Sequence, residues 1–154
     1  MSLIIVKEYF KKFNIENRIL EFNQSTATVK DAAQALNTIE DKIAKSMSFK
    51  LKDDKIIMIV LSGQTRINNH KYKEIFHEKA KMLNYEEVEE KIGHKVGGVC
   101  PFAINDDVTV YLDKSLKKYD TVFPACGSPN SAIELTIEEL EKYSNYKEWI
   151  DVGE

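Results

Sequence analysis

Residues 43–63 read IAKSMSFKLKDDKIIMIVLSG, and this stretch decides the fold. Over residues 45–51 apolar and polar side chains alternate, which is typical of a half-buried strand. Residues 56–61 are a continuous apolar run rich in β-branched side chains, which indicates a strand buried on both faces. Asp53 and Asp54 between the two segments favour a turn. The stretch therefore predicts a β-hairpin.

The rest of the chain mixes helices with short strands. Helices are predicted at residues 6–13, 32–36, 68–77, 84–92 and 137–143, and further strands at 18–22, 108–112, 121–123 and 133–135. Polar residues three positions apart favour N-terminal caps for three of these helices: Thr28 with Asp31, Asn84 with Glu87, and Thr136 with Glu139. Because helices and strands do not alternate strictly, we expect a single α+β domain over residues 1–154, built around a mixed or antiparallel sheet.

The composition excludes several classes of protein. The chain has 154 residues, of which 43% are hydrophobic and 31% charged, and this excludes a disordered chain, a collagen-like fibre and a disulfide-stapled mini-protein. Its 22 Lys and Arg against 25 Asp and Glu give a net charge of -3. That balance disfavours a strongly basic nucleic-acid wrapper and leaves room for a local basic face. Since Arg18 and Arg66 are the two arginines of the sequence, phosphate contacts would come mostly from lysine.

The sequence carries no pattern for a membrane anchor, a metal site or a cofactor site. Its longest apolar run is far shorter than the roughly 20 residues that cross a bilayer, and the lysines near the N-terminus do not fit a signal peptide. The spacing of Cys100 and Cys126 matches neither a disulfide framework nor a zinc ribbon. No P-loop, dinucleotide fingerprint or HExxH motif occurs. We therefore expect a cytoplasmic protein with no membrane association, bound metal or cofactor.

Glycine and proline concentrate in two segments, GHKVGGVCPF at residues 93–102 and FPACGSPNSAIEL at residues 123–135. The two adjacent glycines of the first segment lack a Cβ, so they can bring backbone N–H groups close to a ligand. The second segment places Ser128 and Asn130 between two predicted strands. Ordinary turns account for the same composition, and both interpretations stay open.

Two single residues are candidates for chemistry. Lys45 begins the first strand of the hairpin, so the sheet can hold its ammonium at a fixed distance from a reacting ester. The alternative is an ordinary surface lysine. Cys100 can act as a nucleophile where a histidine base lies beside it. Since His70, His77 and His94 stand in no recognisable setting, a small thiol in a pocket or in the core is the alternative.

Four segments in this order resemble the YbaK/aminoacyl-tRNA deacylase family, which includes free-standing trans-editing proteins and the editing domain of bacterial prolyl-tRNA synthetases. The four are the hairpin with its final glycine (43–63), the loop GGVCP (97–101), which is similar to the GxxxP loop of the family, VYLDKSL (110–116), and FPACGSPNSAIELT (123–136). The resemblance runs from about residue 28 to residue 143.

The resemblance implies a curved mixed sheet flanked by helices and an enzyme that hydrolyses the ester between a wrong amino acid and the 3′ end of a tRNA. It places Lys45 on the functional lysine of the family, which holds the terminal phosphate or the aminoacyl group. It also implies substrate-binding positions in the two loops: Gly97, Gly98, Val99, Cys100, Pro101, Gly127, Ser128 and Asn130. No protein nucleophile is implied, because the tRNA hydroxyls and a positioned water, or a substrate thiol, supply the chemistry.

The sequence departs from the family pattern at three places. Ser46 stands where threonine is frequent, Cys126 stands where alanine or glycine is usual, and the late loop lacks the histidine-proline pair of the synthetase insert. These departures favour a stand-alone editor for cysteine, as in Cys-tRNA(Pro), or for another small amino acid. The expected partners are the aminoacyl-tRNA 3′ end and, for some editors, a synthetase. Two alternatives stay open: an inactive tRNA- or nucleotide-binding module of the same fold, and a thiol hydrolase that uses Cys100.

Overall fold

A computed structural model describes residues 2–154 of the chain. The helices in this range are α1 (Ser2–Lys11), α2 (Val29–Leu36), α3 (Asn69–Phe76), α4 (Tyr85–Ile92) and α5 (Ile137–Ser144). The strands are β1 (Leu20–Glu21), β2 (Ile43–Lys50), β3 (Ile56–Ser62), β4 (Val108–Asp113), β5 (Thr121–Pro124), β6 (Ser131–Ala132), β7 (Leu135–Thr136) and β8 (Glu148–Ile150). Short 3-10 helices cover Glu16–Arg18, Glu40–Lys42 and Lys114–Lys118.

The main sheet has the strand order β7-β5-β2-β3-β4-β8, and β1 pairs separately with β6. The β2–β3 and β5–β7 pairs are antiparallel, whereas β2–β5, β3–β4 and β4–β8 are parallel. This is a mixed sheet flanked by helices, which confirms the predicted α+β class. No helix within residues 2–154 has the length and apolar character needed to cross a bilayer.

The predicted hairpin lies at the centre of the main sheet. Its register runs from Ala44 opposite Ser62 to Lys50 opposite Ile56. Every residue of β3 is buried, as the apolar run predicts. One face of β3 packs on a large apolar cluster that also receives α1 and α5, and the other face packs under α3 beside Tyr72. The hairpin therefore has a core on both sides. Beyond Ala44, β5 no longer covers β2, and this uncovered edge is where a site can form.

The predicted helix caps are confirmed. Asn84 and Glu87 at α4, like Thr136 and Glu139 at α5, exchange side-chain hydrogen bonds with each other's backbone N–H groups. Thr28 at α2 accepts one hydrogen bond, from the N–H of Asp31. Each cap satisfies N–H groups that the first helical turn leaves without an intrahelical partner.

Two strand predictions differ from the structure, and one strand was not predicted. The predicted strand at 133–135 is wrong, because the chain changes partners there: Ala132 pairs with Leu20 of β1, and Leu135 pairs with Val122 of β5. The strand predicted at 18–22 is reduced to β1, since its first residue belongs to a 3-10 turn. Strand β8 has no counterpart in the sequence-based prediction. Three residues are too few for a periodic signal, and β8 is fixed by pairing with β4.

Candidate active site

A cleft opens where the outer edge of β2 lacks a neighbouring strand. β5 pairs with β2 through Ile43 and Ala44 and then turns away. Further along β2, the N–H of Leu83 donates to the carbonyl of Ser48 at 3.1 Å, and the N–H of Lys50 donates to the carbonyl of Lys81 at 2.9 Å. Between these two pairings, residues 45–47 face a cleft of about 370 Å³.

Most of the cleft wall is apolar and comes from segments far apart in sequence. The contributors include Ala32 of α2, Phe123 of β5, Leu83 before α4, Val88 of α4, and Val96 and Val99 of the first glycine loop. A concave apolar surface of this size, with a few polar groups on its floor, suits a small organic group. The edge of β2 supplies that floor.

Lys45 lies on the floor of the cleft and is half-buried. Burial lowers the pKa of Lys45, the Arg66 guanidinium lowers it further, and the Asp41 carboxylate opposes both. Within residues 2–154 no hydrogen bond or ion pair engages the Lys45 ammonium. A partly desolvated cation without a protein partner attracts an anionic or strongly polar group of a ligand.

Asp41 anchors the segment that leads into the N-terminal end of β2. Its Oδ2 accepts hydrogen bonds from Lys118 Nζ at 2.5 Å and from Tyr119 Oη at 2.8 Å, and its Oδ1 accepts one from the N–H of Gln64 at 3.0 Å. Burial alone raises the pKa of Asp41, but these hydrogen bonds outweigh it and bring the pKa to about 2. One carboxylate thus joins the segments before β2, after β3 and after β4, four residues from Lys45 in sequence.

The first glycine loop contributes part of its predicted residues to the cleft. Gly97 and Val99 line the cleft, whereas Gly98, Cys100 and Pro101 are buried behind it. The N–H of Gly98 donates to the carbonyl of Lys95 at 3.0 Å, so it is already engaged within the loop.

The two glycine loops pack backbone against backbone. A Cβ built on Gly98 would lie 2.5 Å from the carbonyl carbon of Gly127 and 2.6 Å from the nitrogen of Ser128. Gly97 has a φ of +96° and Gly127 a φ of +92°, values that glycine tolerates and other residues rarely adopt. The close packing of the loops and their backbone conformation therefore require these glycines.

Ser128 and Asn130 hold the second loop to the N-terminal part of the chain. Ser128 Oγ lies 2.9 Å from Asn130 Oδ1, and Asn130 Nδ2 donates to the carbonyl of Phe22 at 2.9 Å. Neither residue lines the cleft, and Gly127 is buried away from it. The cleft wall is formed instead by the following residues, Ser131 and Ala132 of β6.

Cys100 and His94 lie together inside the core. Both side chains are fully buried, with Cys100 Sγ 3.5 Å from His94 Nε2. Nε2 also lies 2.7 Å from the carbonyl oxygen of Phe102, which accepts hydrogen bonds and cannot donate them. Nε2 therefore carries the hydrogen and cannot take a proton from the thiol.

The electrostatics of the two thiols agree with that geometry. Burial raises the pKa of Cys100 to about 12 and lowers the pKa of His94. Burial likewise raises the pKa of Cys126, which is also fully buried. A neutral thiol inside the core is a poor nucleophile, which disfavours a thiol hydrolase. Among the residues described, no group of three or more His, Cys, Asp and Glu side chains is arranged to hold a metal ion.

Several residues of the site have no counterpart among the sequence-based predictions. Asp41 precedes β2 in an unremarkable acidic stretch, and Met82 and Leu83 belong to a loop without periodicity. Thr26 and Ala32 reach the cleft from the segment that enters α2 and from α2 itself. These residues reach the site because the fold brings their segments beside β2, and no local sequence pattern predicts which segments those are. The capping signal at Thr28 is the one local feature that positions this wall.

Comparisons with known proteins agree with the fold and with the resemblance. Over residues 23–143 the chain matches the family model described as "Aminoacyl-tRNA editing domain". It is 51% identical over 152 residues to the protein YwhH of Bacillus subtilis (strain 168), and the aligned residues are 99% of this chain and 97% of that protein. It is 31% identical over 91 residues to the proline–tRNA ligase of the same organism, covering 58% of this chain and 16% of the ligase.

A solved structure extends the similarity to the whole fold. A crystal structure described as a candidate trans-editing enzyme for prolyl tRNA synthetase superimposes with a TM-score of 0.88 at 28% identity, covering 99% of this chain and 97% of that one. The family match covers well over half of the chain and includes β2 with Lys45 and both glycine loops. The chain therefore belongs to the aminoacyl-tRNA editing domain family.

Proposed function

We propose that this protein is a trans-acting aminoacyl-tRNA deacylase that hydrolyses the ester between a small amino acid and the 3′ end of a tRNA. In the proposed reaction, water adds to the ester carbonyl and the bond from the carbonyl carbon to the ribose oxygen breaks. The ribose oxygen takes up a proton, so the products are a free amino acid and an uncharged tRNA. The observation that carries the proposal is Lys45, an unpaired and partly desolvated cation on the floor of the cleft.

The edge of β2 supplies further hydrogen-bonding groups for the substrate. The carbonyl of Ser48 and the N–H of Lys50 point away from β3, toward the loop at residues 81–83. Because the backbone groups of a strand alternate in direction, the N–H and the carbonyl of Ser46 point to the same side, into the cleft. A donor and an acceptor fixed beside Lys45 can orient an aminoacyl ester for attack by water.

No protein nucleophile is needed for this chemistry. The aminoacyl ester is already activated, and hydrogen-bond donors aimed at the carbonyl where negative charge develops account for large rate effects in other enzymes. The buried cysteines have neither the accessibility nor the ionisation for attack. Catalysis by positioning fits the groups that line the cleft.

Two buried hydroxyls favour a small polar amino acid as the group removed. Thr26 Oγ1 and Ser46 Oγ are buried, belong to residues of the cleft wall, and have no hydrogen-bond partner within residues 2–154. A buried hydroxyl without a partner costs free energy, and a polar group of the ligand relieves that cost. Cysteine, as in Cys-tRNA(Pro), fits this combination of apolar walls and hydroxyls.

The test is hydrolysis of a panel of tRNAs charged with alanine, serine, cysteine, threonine or proline. We expect release of one or more small amino acids by the native protein. The variant Lys45→Met keeps the aliphatic stem and removes the charge, and it should lower the rate by about 100-fold or more, the usual effect of losing one charge-stabilising donor. Lys12→Met removes an exposed charge from the chain next to α1 and should leave the rate unchanged.

The outcomes separate the enzyme from a binding module. Binding of charged tRNA without release of any amino acid would support the inactive-module alternative and refute the proposal. Full activity of Lys45→Met would refute the role of Lys45. Adding purified prolyl-tRNA synthetase to the same assay tests the proposed partner, since a dependent editor should accelerate in its presence.

A further inference from the structure

A second concave surface lies at the far end of the β2–β3 hairpin. It has a volume of about 510 Å³ and lies between the hairpin turn and the C-terminal end of α3. We call it the lysine groove, because five lysines line it: Lys50, Lys52, Lys73, Lys79 and Lys81. His77 also lines it, and its acidic residues are Asp54 and Glu78.

The lysine groove is positive on a chain whose net charge is negative. Five lysines against two carboxylates leave an excess of positive charge there, whereas the chain as a whole carries -3. Lys50 is partly neutralised, with Nζ 3.5 Å from Glu87 and 3.8 Å from Asp54. Glu78 is occupied by a backbone contact, accepting from the N–H of Lys52 at 2.8 Å.

Four ammonium groups of the lysine groove are free to bind an anion. Within residues 2–154 no ion pair or side-chain hydrogen bond engages the ammonium groups of Lys52, Lys73, Lys79 and Lys81. All four side chains are exposed. Exposed lysines without carboxylate partners release counterions when they bind phosphates, which is the main source of sequence-independent affinity for nucleic acids.

The lysine groove adjoins the catalytic cleft along a shared stretch of backbone. On β2, Ser48 lines the cleft and Lys50 lines the groove. On the loop paired with β2, Leu83 and Met82 line the cleft and Lys81 lines the groove. The two surfaces therefore lie next to each other along β2 and along the loop paired with it.

The spacing fits a short piece of single-stranded nucleic acid. Lys50 lies five residues after Lys45 along β2, a distance of about 17 Å at about 3.3 Å per residue. A stacked strand advances about 3.4 Å per nucleotide. A chain whose last nucleotide lies at Lys45 therefore passes the lysine groove within about five nucleotides of its end.

We infer that the lysine groove binds the phosphates of the 3′ acceptor strand and so guides the aminoacylated end into the cleft. This inference rests on the proposed function, because it takes the tRNA 3′ end as the ligand of the cleft. Lysine contacts to phosphate carry no base preference, so the groove supplies affinity and register while the cleft selects the amino acid.

The test measures the salt dependence of tRNA binding. Each neutralised phosphate of a single strand contributes about 0.7 to the slope of log affinity against log salt. The triple variant Lys52→Gln, Lys79→Gln and Lys81→Gln should therefore reduce the slope by about 2. Between 50 and 200 mM salt, that difference corresponds to about an 18-fold smaller loss of affinity than in the native protein.

A matched triple variant controls for net charge. The control removes three exposed charges by the substitutions Lys11→Gln and Lys12→Gln, at the C-terminal end of α1, and Lys142→Gln, in α5. Helices α1 and α5 pack on the opposite face of the sheet from α3. The control should keep the native salt slope. Equal slopes in all three proteins, or equal reductions in the two triple variants, would overturn the inference.

A second measurement separates the groove from the cleft. The groove variant should hydrolyse 3′-aminoacyl-adenosine, which lacks the upstream phosphates, at the native rate, and should require more full-length tRNA for half-maximal velocity. The groove variant could show the reduced salt slope while the native protein hydrolyses no charged tRNA. That result would support phosphate binding by the lysine groove and refute the proposed function. Loss of aminoacyl-adenosine hydrolysis in a folded groove variant would overturn the inference, because the lysines would then act in the cleft.

Discussion

Replacing Asp41 by asparagine tests how the segment before β2 is anchored. The side chain of Asp41 is buried, and Lys118, Tyr119 and the N–H of Gln64 donate hydrogen bonds to its carboxylate. Burial raises its pKa, but the donors outweigh burial and lower the pKa from 3.8 to about 2. Asparagine keeps the size of the side chain and loses the charge that these donors stabilise.

The expected loss follows from the pKa of the carboxyl in the folded and unfolded states. A fall from 3.8 to about 2 is worth about 2 kcal/mol of folding free energy. Because the folded state has the lower pKa, this stabilisation is complete above the unfolded pKa and is lost as the pH falls from about 4 toward 2. We therefore expect Asp41→Asn to be about 2 kcal/mol less stable at pH 7, and the difference to shrink below pH 4.

Urea unfolding of both proteins at pH 7, 4 and 3 measures this difference. Asp120→Asn is the control, because Asp120 is exposed and none of the hydrogen bonds or ion pairs found in residues 2–154 involves its side chain. The control should stay within about 0.5 kcal/mol of the native protein at pH 7. A difference for Asp41→Asn that is the same at pH 7 and pH 3 would show that lost packing, rather than the ionised carboxylate, carries the effect.

Two further outcomes concern the glycine loops and the thiols. Gly98→Ala should lower the free energy of unfolding by about 1 to 3 kcal/mol, because its methyl group would overlap the backbone of Gly127; an unchanged urea midpoint would contradict the close packing of the loops. Iodoacetamide at pH 8 should leave Cys100 and Cys126 unlabelled in the folded protein and label both after unfolding, because both thiols are buried and neutral. Rapid labelling of the folded protein with loss of hydrolysis would instead favour a thiol hydrolase.

The parts of the fold that local chemistry determines could be predicted from the sequence. The hairpin follows from alternation in β2 and from an unbroken apolar run in β3. The capping boxes at Asn84 and Thr136 fix the starts of α4 and α5 within a few residues of chain. In each case the stabilising partner lies nearby in sequence, so the pattern is complete in a short window.

The parts that depend on distant partners could not be predicted. β8 exists because Trp149 and its neighbours pair with β4, and the segment from Ala132 to Leu135 divides because its two ends pair with different strands. The alternation in β2 predicts the faces of Met47 and Phe49 correctly, but it does not reveal that Ser48 is buried as well. The loop before α4 covers that side, and nothing in a local window indicates it.

The residues of the candidate site fall into the same two groups, those predictable from local sequence and those that depend on distant partners. Lys45 could be singled out because it begins a predicted strand, although β2 in fact begins two residues earlier, at Ile43. Its place in the cleft depends on β5 and the loop at residues 81–83, which leave this part of β2 uncovered. The loop residues could be recognised as a group, but the division into residues that line the cleft and residues buried behind it depends on contact between the two loops. Gly97 and Gly98 are neighbours in sequence, yet one lines the cleft and the other packs against Gly127.

The short stretch of β2 between its pairing with β5 and its pairing with the loop at residues 81–83 explains how the fold combines an open edge with a stable sheet. An exposed edge strand invites pairing with another chain, and proteins protect such edges with short lengths and with lysine. Here the unpaired stretch at residues 45–47 is closed at one end by β5 and at the other by the loop carrying Leu83. The unpaired stretch is only three residues long, and the charge of Lys45 disfavours pairing with an apolar strand. A short length and a lysine thus protect this edge from pairing with another chain, and the cleft that we propose as the ester site stays open beside it.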